Sequence, residues 1–108
     1  HFDQMGTYKL LFGVWERDPG ELQSLYEETV APVDAYDQHN DTQLLRTLMT
    51  YLKNDESLSK TAEELYAHRH TIRYRLQKIA EITGLSVFRS EDKERLGLGL
   101  KARHLLSA

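Results

Sequence analysis

Residues 57–84 read SLSKTAEELYAHRHTIRYRLQKIAEITG, and the fold of the chain is decided in this stretch. Ser57 or Ser59 stands just ahead of an apolar period containing Ala62 and Leu65, where a side-chain oxygen can accept from the free N–H groups of a first helical turn. Tyr66-Ala67-His68 reads as a short turn. From Arg69 onward, Ile72, Leu76, Ile79 and Ile82 recur at the spacing of one helical face, and Gly84 occupies the place where a left-handed residue ends a helix. A short helix, a turn and a longer helix over about 69–83 form a helix-turn-helix layout, in which the first helix crosses a nucleic-acid backbone and the second enters the major groove. Ala62 is small where two helices must approach, and Leu65 and Ile72 can lock the pair.

On a wheel advancing 100° per residue from Ile72, Leu76, Ile79 and Ile82 fall within about 80° of it. His70, Arg73, Tyr74, Gln77 and Glu81 then point outward. Recognition helices of this kind read with their N-terminal residues, so His70, Thr71, Arg73 and Tyr74 are the candidates for base contact. Arg73 leads, because a guanidinium can bond guanine O6 and N7 together. His70 also reads as an N-cap. Ser59, Lys60, His68, Arg69, Arg75, Gln77 and Lys78 are the candidates for phosphate contact, which fixes register and affinity without reading sequence. Arg75 lies toward the core flank of the wheel, where a structural ion pair competes with a phosphate.

Charge supports this placement only when it is resolved along the chain. The 108 residues carry a net charge of −3, which by itself argues against a polyanionic partner. Residues 1–56 hold 11 Asp/Glu against 4 Lys/Arg, whereas residues 57–108 hold 6 against 10. Between Tyr66 and Ala80 stand Arg69, Arg73, Arg75, Lys78 and two histidines, with no acid. That local excess is the electrostatic footprint of a nucleic-acid-binding surface.

Outside the central stretch the pattern stays helical. Tyr8, Leu11, Phe12 and Trp15 predict a first helix, closed by Asp18-Pro19-Gly20. A second helix is expected from about Gly20 to Val30 with Leu22, Leu25 and Tyr26 on its apolar side, ended by the steric effect of Pro32 on Ala31. A short helical turn over Val33–Tyr36 follows. Asn40 or Asp41 is placed to cap a helix with Leu44, Leu45, Leu48, Tyr51 and Leu52 on one face, and Ser90 to cap a last helix with Leu96, Leu100 and Leu105. Gly97 and Gly99 in that last helix suggest close packing against a neighbour. No segment alternates like a strand, so the expected fold is an all-α helical bundle, with residues 1–40 as supporting helices and 41–108 as the DNA-binding unit of one compact domain.

Other chemistry is poorly served. Without cysteine there are no disulfides or thiolate metal sites, and His68 and His70, two residues apart, are expected to point away from each other, so no metal is expected. Glu63 and Glu64 diverge by about 100° on a helix, Ser57, Ser59 and His68 belong to caps and turns, and the aromatics Tyr8, Phe12, Trp15 and Tyr26 read as core. No catalytic residues and no cofactor are therefore expected. No apolar run is long enough to span a bilayer, and the composition suits the cytoplasm. The alternative use of the same basic helix is an RNA-binding or protein-interaction module.

The string Ala62-x-x-Leu65-x-x-His68-Arg69-x-Thr71-Ile72-x-Tyr74-Arg75-Leu76, followed by Ile79 and Thr83-Gly84, resembles the C-terminal helix-turn-helix of PucR-type transcription regulators. Relatives of that kind regulate purine catabolism, sugar-diacid metabolism and polyketide-synthase expression, and the domain is distantly similar to the Fis-type helix-turn-helix. The resemblance extends over nearly the whole chain, and one departure is His70, where the family usually carries Asn. It implies double-stranded promoter DNA as partner, a homodimer, and a longer parent whose N-terminal region binds any effector. The chain starts at His1 without Met and reads from Asp3 to Tyr8 like the middle of such a parent.

Overall fold

The computed structural model describes Lys9 and residues 18–107, so the helix expected around Tyr8, Phe12 and Trp15 lies outside the described residues. Among the described residues there are six helices and no strand: α1 (Pro19–Thr29), α2 (Ala31–Asn40), α3 (Leu44–Lys53), α4 (Leu58–Glu64), α5 (Arg69–Thr83) and α6 (Ser90–Leu106). None of them is long and apolar enough to cross a membrane.

The helix starts differ in what supports them. Asp18 accepts from the Gly20 N–H and caps α1. Pro32 was expected to leave only a short turn after α1, yet α2 runs from Ala31 to Asn40. The break is confined to Val30, and Pro32 falls in the first turn of α2, where a missing N–H removes no intrahelical bond. The start of α3 also differs from expectation. Neither Asn40 nor Asp41 caps it. Asp37, still inside α2, reaches forward with both carboxylate oxygens, Oδ1 accepting from the Leu44 N–H at 2.9 Å and Oδ2 from the Leu45 N–H at 3.0 Å. Asp41 instead closes α2 in the left-handed region, at φ 53°. Ser90 is not the cap of α6 either: it is the first helical residue, and the cap position belongs to Arg89, whose side chain makes no capping bond. The acidic Glu91 and Asp92 favour that end electrostatically.

Among the described residues, two apolar clusters hold the helices together. The larger joins Val30, Val33, Leu44, Leu45, Leu48, Tyr51, Ala62, Ile72, Leu76, Ile79, Leu85, Val87 and Leu96, and the smaller pairs Leu22 of α1 with Ala102 of α6. Helix α5 packs on α2, α3 and α4, whereas among the described residues the main partner of α1 is α6. Gly99 makes that second contact possible, since a Cβ there would stand 1.9 Å from Thr29 Oγ1 and 2.7 Å from Thr29 Cβ. Gly97 has no such neighbour within 4 Å, so close packing explains only one of the two glycines. Buried Thr29, Thr47, Thr50 and Thr61 satisfy their hydroxyls on backbone carbonyls four residues back, those of Thr47 and Thr61 belonging to the cap residues Gln43 and Ser57.

Candidate nucleic-acid interface

Helices α4 and α5 and the turn between them present the basic segment. Ser57 opens α4, its Oγ accepting from the Lys60 N–H at 3.1 Å. The helix ends in a Schellman arrangement: the Ala67 N–H donates to Ala62 O at 2.9 Å and the Tyr66 N–H to Glu63 O at 3.4 Å. That geometry puts Tyr66 in the left-handed region at φ 53°, with its side chain 98% exposed. The turn thereby ends α4 with the Ala62 and Glu63 carbonyls satisfied and delivers the chain directly to His68.

His68, and not His70, caps α5. Its Nδ1 accepts from the His70 N–H at 3.1 Å, which places the proton of the neutral ring on Nε2. Because a cap residue has extended rather than helical backbone, the two imidazoles do not diverge as helical neighbours would. They stack, with centroids 4.8 Å apart and planes 13° from parallel. Among the described residues, no group of three or more His, Cys, Asp or Glu could hold a metal ion. Gly84, at φ 77°, closes the helix where the sequence pattern put its end.

The inner face of α5 is sealed, with Ile72, Leu76 and Ile79 at 0–1% exposure. Its outer face carries His70, Arg73, Tyr74, Gln77 and Glu81, all exposed, preceded by exposed His68 and Arg69. Ser59 and Lys60 are exposed on α4. The remaining candidates, Thr71, Arg75 and Lys78, are half-buried along one flank. With exposed Tyr74 they border a groove of about 480 Å³ together with Tyr36 and Gln43. Within that flank Arg75 donates to Thr47 Oγ1 of α3 at 3.4 Å, a contact to a neutral hydroxyl rather than an ion pair. Lys78 is 3.7 Å from Glu81 and 5.6 Å from the centre of the Tyr36 ring. These two cations are thus partly engaged within the fold, whereas Arg69 has an open surface position.

On the opposite flank stands a residue that sequence reasoning passed over. Phe88, in the connection between α5 and α6, lies under the Arg73 guanidinium, whose carbon is 5.5 Å from the ring centre. Phe88 is 44% exposed, and the only hint of it in the sequence is an aromatic that follows Leu85 and Val87 in the short connection before α6.

Residues 44–102, a little over half of the chain, match the family described as the PucR C-terminal helix-turn-helix domain. The chain is 39% identical over 87 residues to the Purine catabolism regulatory protein of Bacillus subtilis (strain 168), a match covering 81% of this chain and 16% of that protein. It is 32% identical over 101 residues to the Proline-responsive transcriptional activator PutR of the same organism, covering 92% and 24%. Among solved structures it is similar to the Regulator of Polyketide Synthase Expression from Bifidobacterium adolescentis, with a TM-score of 0.73 at 30% identity over 84% of this chain and 37% of that one. The chain therefore spans between 16% and 24% of the length of these two curated relatives.

Proposed function

This chain belongs to the PucR C-terminal helix-turn-helix family, whose relatives above are regulators of transcription, and from that premise we propose that it binds promoter DNA sequence-specifically, with α5 in the major groove. The observation that carries the reading is the outer face of α5. Arg69, His70, Arg73, Tyr74 and Gln77 are exposed together on a helix whose other side is immobilised by Ile72, Leu76 and Ile79. A groove-reading helix must hold its side chains at fixed offsets from the bases, and a sealed inner face supplies that rigidity.

Roles divide by exposure. His70, Arg73 and Tyr74 read base edges, joined at the groove-side border by Thr71. Arg69 and Gln77 on α5, His68 at its cap, and Ser59 and Lys60 on α4 meet phosphates. Arg75 and Lys78 make weaker phosphate contacts, since each already has an intramolecular partner. Residues 41–108 form the DNA-binding unit, and the helices before residue 41 support it through α2 and through the α1 contact with α6. The chain acts in the cytoplasm without catalysis, as part of a longer regulator that binds its effector elsewhere and pairs as a homodimer on two half-sites about one helical turn apart.

The test is to select bound duplexes from a random pool and then titrate the recovered duplex and a scrambled one across a salt series. The proposal requires a steep linear fall of log K with log salt and a preference for the selected duplex. A shallow slope with equal affinity for both duplexes rules it out.

A further inference from the structure

We infer that Phe88 is a positioning residue for Arg73, holding the guanidinium ready for base reading before DNA arrives; the inference rests on the DNA-binding function proposed above. Phe88 does not belong to the recognition helix, yet its ring is the surface on which the leading base-reading side chain lies, 5.5 Å from the guanidinium carbon. The ring is itself fixed. Its edge-to-face partner is Tyr51 of α3, with centroids 6.2 Å apart and planes at 72°, and Tyr51 is buried in the main core.

The backbone under Phe88 is equally constrained. Leu85 and Val87, on either side of Ser86, are buried. The Phe88 N–H donates to Ser86 Oγ at 3.2 Å and the Arg89 N–H to Ser86 O at 3.0 Å, while the Ser86 N–H donates to the Asp92 carboxylate at 3.0 Å. Lys93 then ties the start of α6 to Glu56, at 2.8 Å, at the end of the α3–α4 connection.

What that face offers an arginine is order without loss of donors. The attraction acts between the cation and the π face, so it consumes none of the five N–H groups that a base edge needs. A free arginine loses rotamer freedom when it is fixed on a base; one already laid on a ring has lost part of it beforehand, and binds correspondingly tighter.

The experiment measures affinity of the 108-residue chain for the duplex it selects from a random pool and for a scrambled duplex, with melting curves to confirm folding. Phe88→Ala and Phe88→Leu are expected to weaken the selected duplex by about twofold to fivefold and to leave the scrambled duplex unchanged, whereas Phe88→Tyr, which keeps the π face, retains discrimination. In an Arg73→Ala background, Phe88→Ala is expected to add nothing. Equal weakening on both duplexes, an undiminished effect in the Arg73→Ala background, or tighter binding by Phe88→Ala overturns the inference, the last because the ring would then be restraining Arg73. A wild-type chain with no duplex preference defeats the proposed function itself. One that discriminates through Arg73 but is indifferent to Phe88 defeats only the positioning role.

Discussion

Arg103 of α6 grips Asp34 of α2 with two prongs, Nε to Oδ2 at 2.7 Å and Nη2 to Oδ1 at 3.1 Å, across 69 residues of sequence. The Tyr26 hydroxyl of α1 donates to the same Oδ2 at 2.7 Å, so one carboxylate joins three helices. Side-chain exposures of 39% for Arg103 and 24% for Asp34 put the pair between the screened surface regime and the buried one. Asp34→Ala is therefore expected to destabilise the chain by about 1 to 2 kcal/mol, read by denaturant unfolding. A loss within error of zero would mean that water screens the pair.

Burial, reinforced by the same carboxylate, makes Tyr26 responsive to alkaline pH. Burial first, and then the hydrogen bond to Asp34, push its hydroxyl up from 10.0 to about 12. The folded state thus holds the proton more tightly than the unfolded one. That contribution is complete below pH 10 and is lost as pH rises toward about 12. Unfolding free energy should fall across this window, and Tyr26→Phe should flatten the fall while lowering stability at neutral pH. Tyr51, raised mainly by burial, adds a slope that the variant leaves in place. An unchanged slope in Tyr26→Phe contradicts the assignment.

Asp37 acts as a remote cap for α3. Asp37→Ala strips acceptors from the Leu44 and Leu45 N–H groups and from Thr42 Oγ1, and is expected to cost about 1 to 2 kcal/mol. Asn at this position can still accept through one oxygen, so Asp37→Asn should lose less. Hydrogen exchange at the Leu44 and Leu45 amides gives a local readout, and unaltered protection there in the alanine variant refutes the cap.

The two glycines of α6 should respond in opposite directions to alanine. At Gly97 a Cβ meets nothing within 4 Å, and Gly97→Ala is expected to stabilise by about 0.5 to 1 kcal/mol through helix propensity. At Gly99 the new Cβ collides with fully buried Thr29, and Gly99→Ala is expected to destabilise by about 1 to 3 kcal/mol as α1 is forced off α6. Paired melting curves settle this, and a stabilised Gly99→Ala would show that the α1–α6 seam yields freely.

On DNA, Arg73→Ala is expected to lower affinity for the selected duplex by about 1 to 3 kcal/mol while sparing the scrambled one. Arg69→Ala should weaken both alike and reduce the salt slope by about one. Lys78→Ala should change the slope less, because its ammonium is already near Glu81 and the Tyr36 ring. If Lys78 matters as much as Arg69, the division by exposure is wrong.

The sequence alone determined whatever depends on neighbours three to four residues apart. Ile72, Leu76 and Ile79 announce the sealed face of α5, Gly84 its end and the pair Ser57 and Ser59 the start of α4, of which the structure selects Ser57, because a helix repeats its environment every turn and its termini need donors or acceptors close by. Only the tertiary structure decided what joins distant residues. Asp37 caps a helix that begins seven residues later, Thr47 occupies Arg75, Phe88 underlies Arg73, and Thr29 dictates the glycine at 99. The exchange of roles between His68 and His70 belongs here too, since one backbone step at the turn decides which imidazole faces the free N–H groups. Such contacts carry no periodic signature: they arise where packed helices happen to bring side chains within reach, and that geometry exists only once the core has closed.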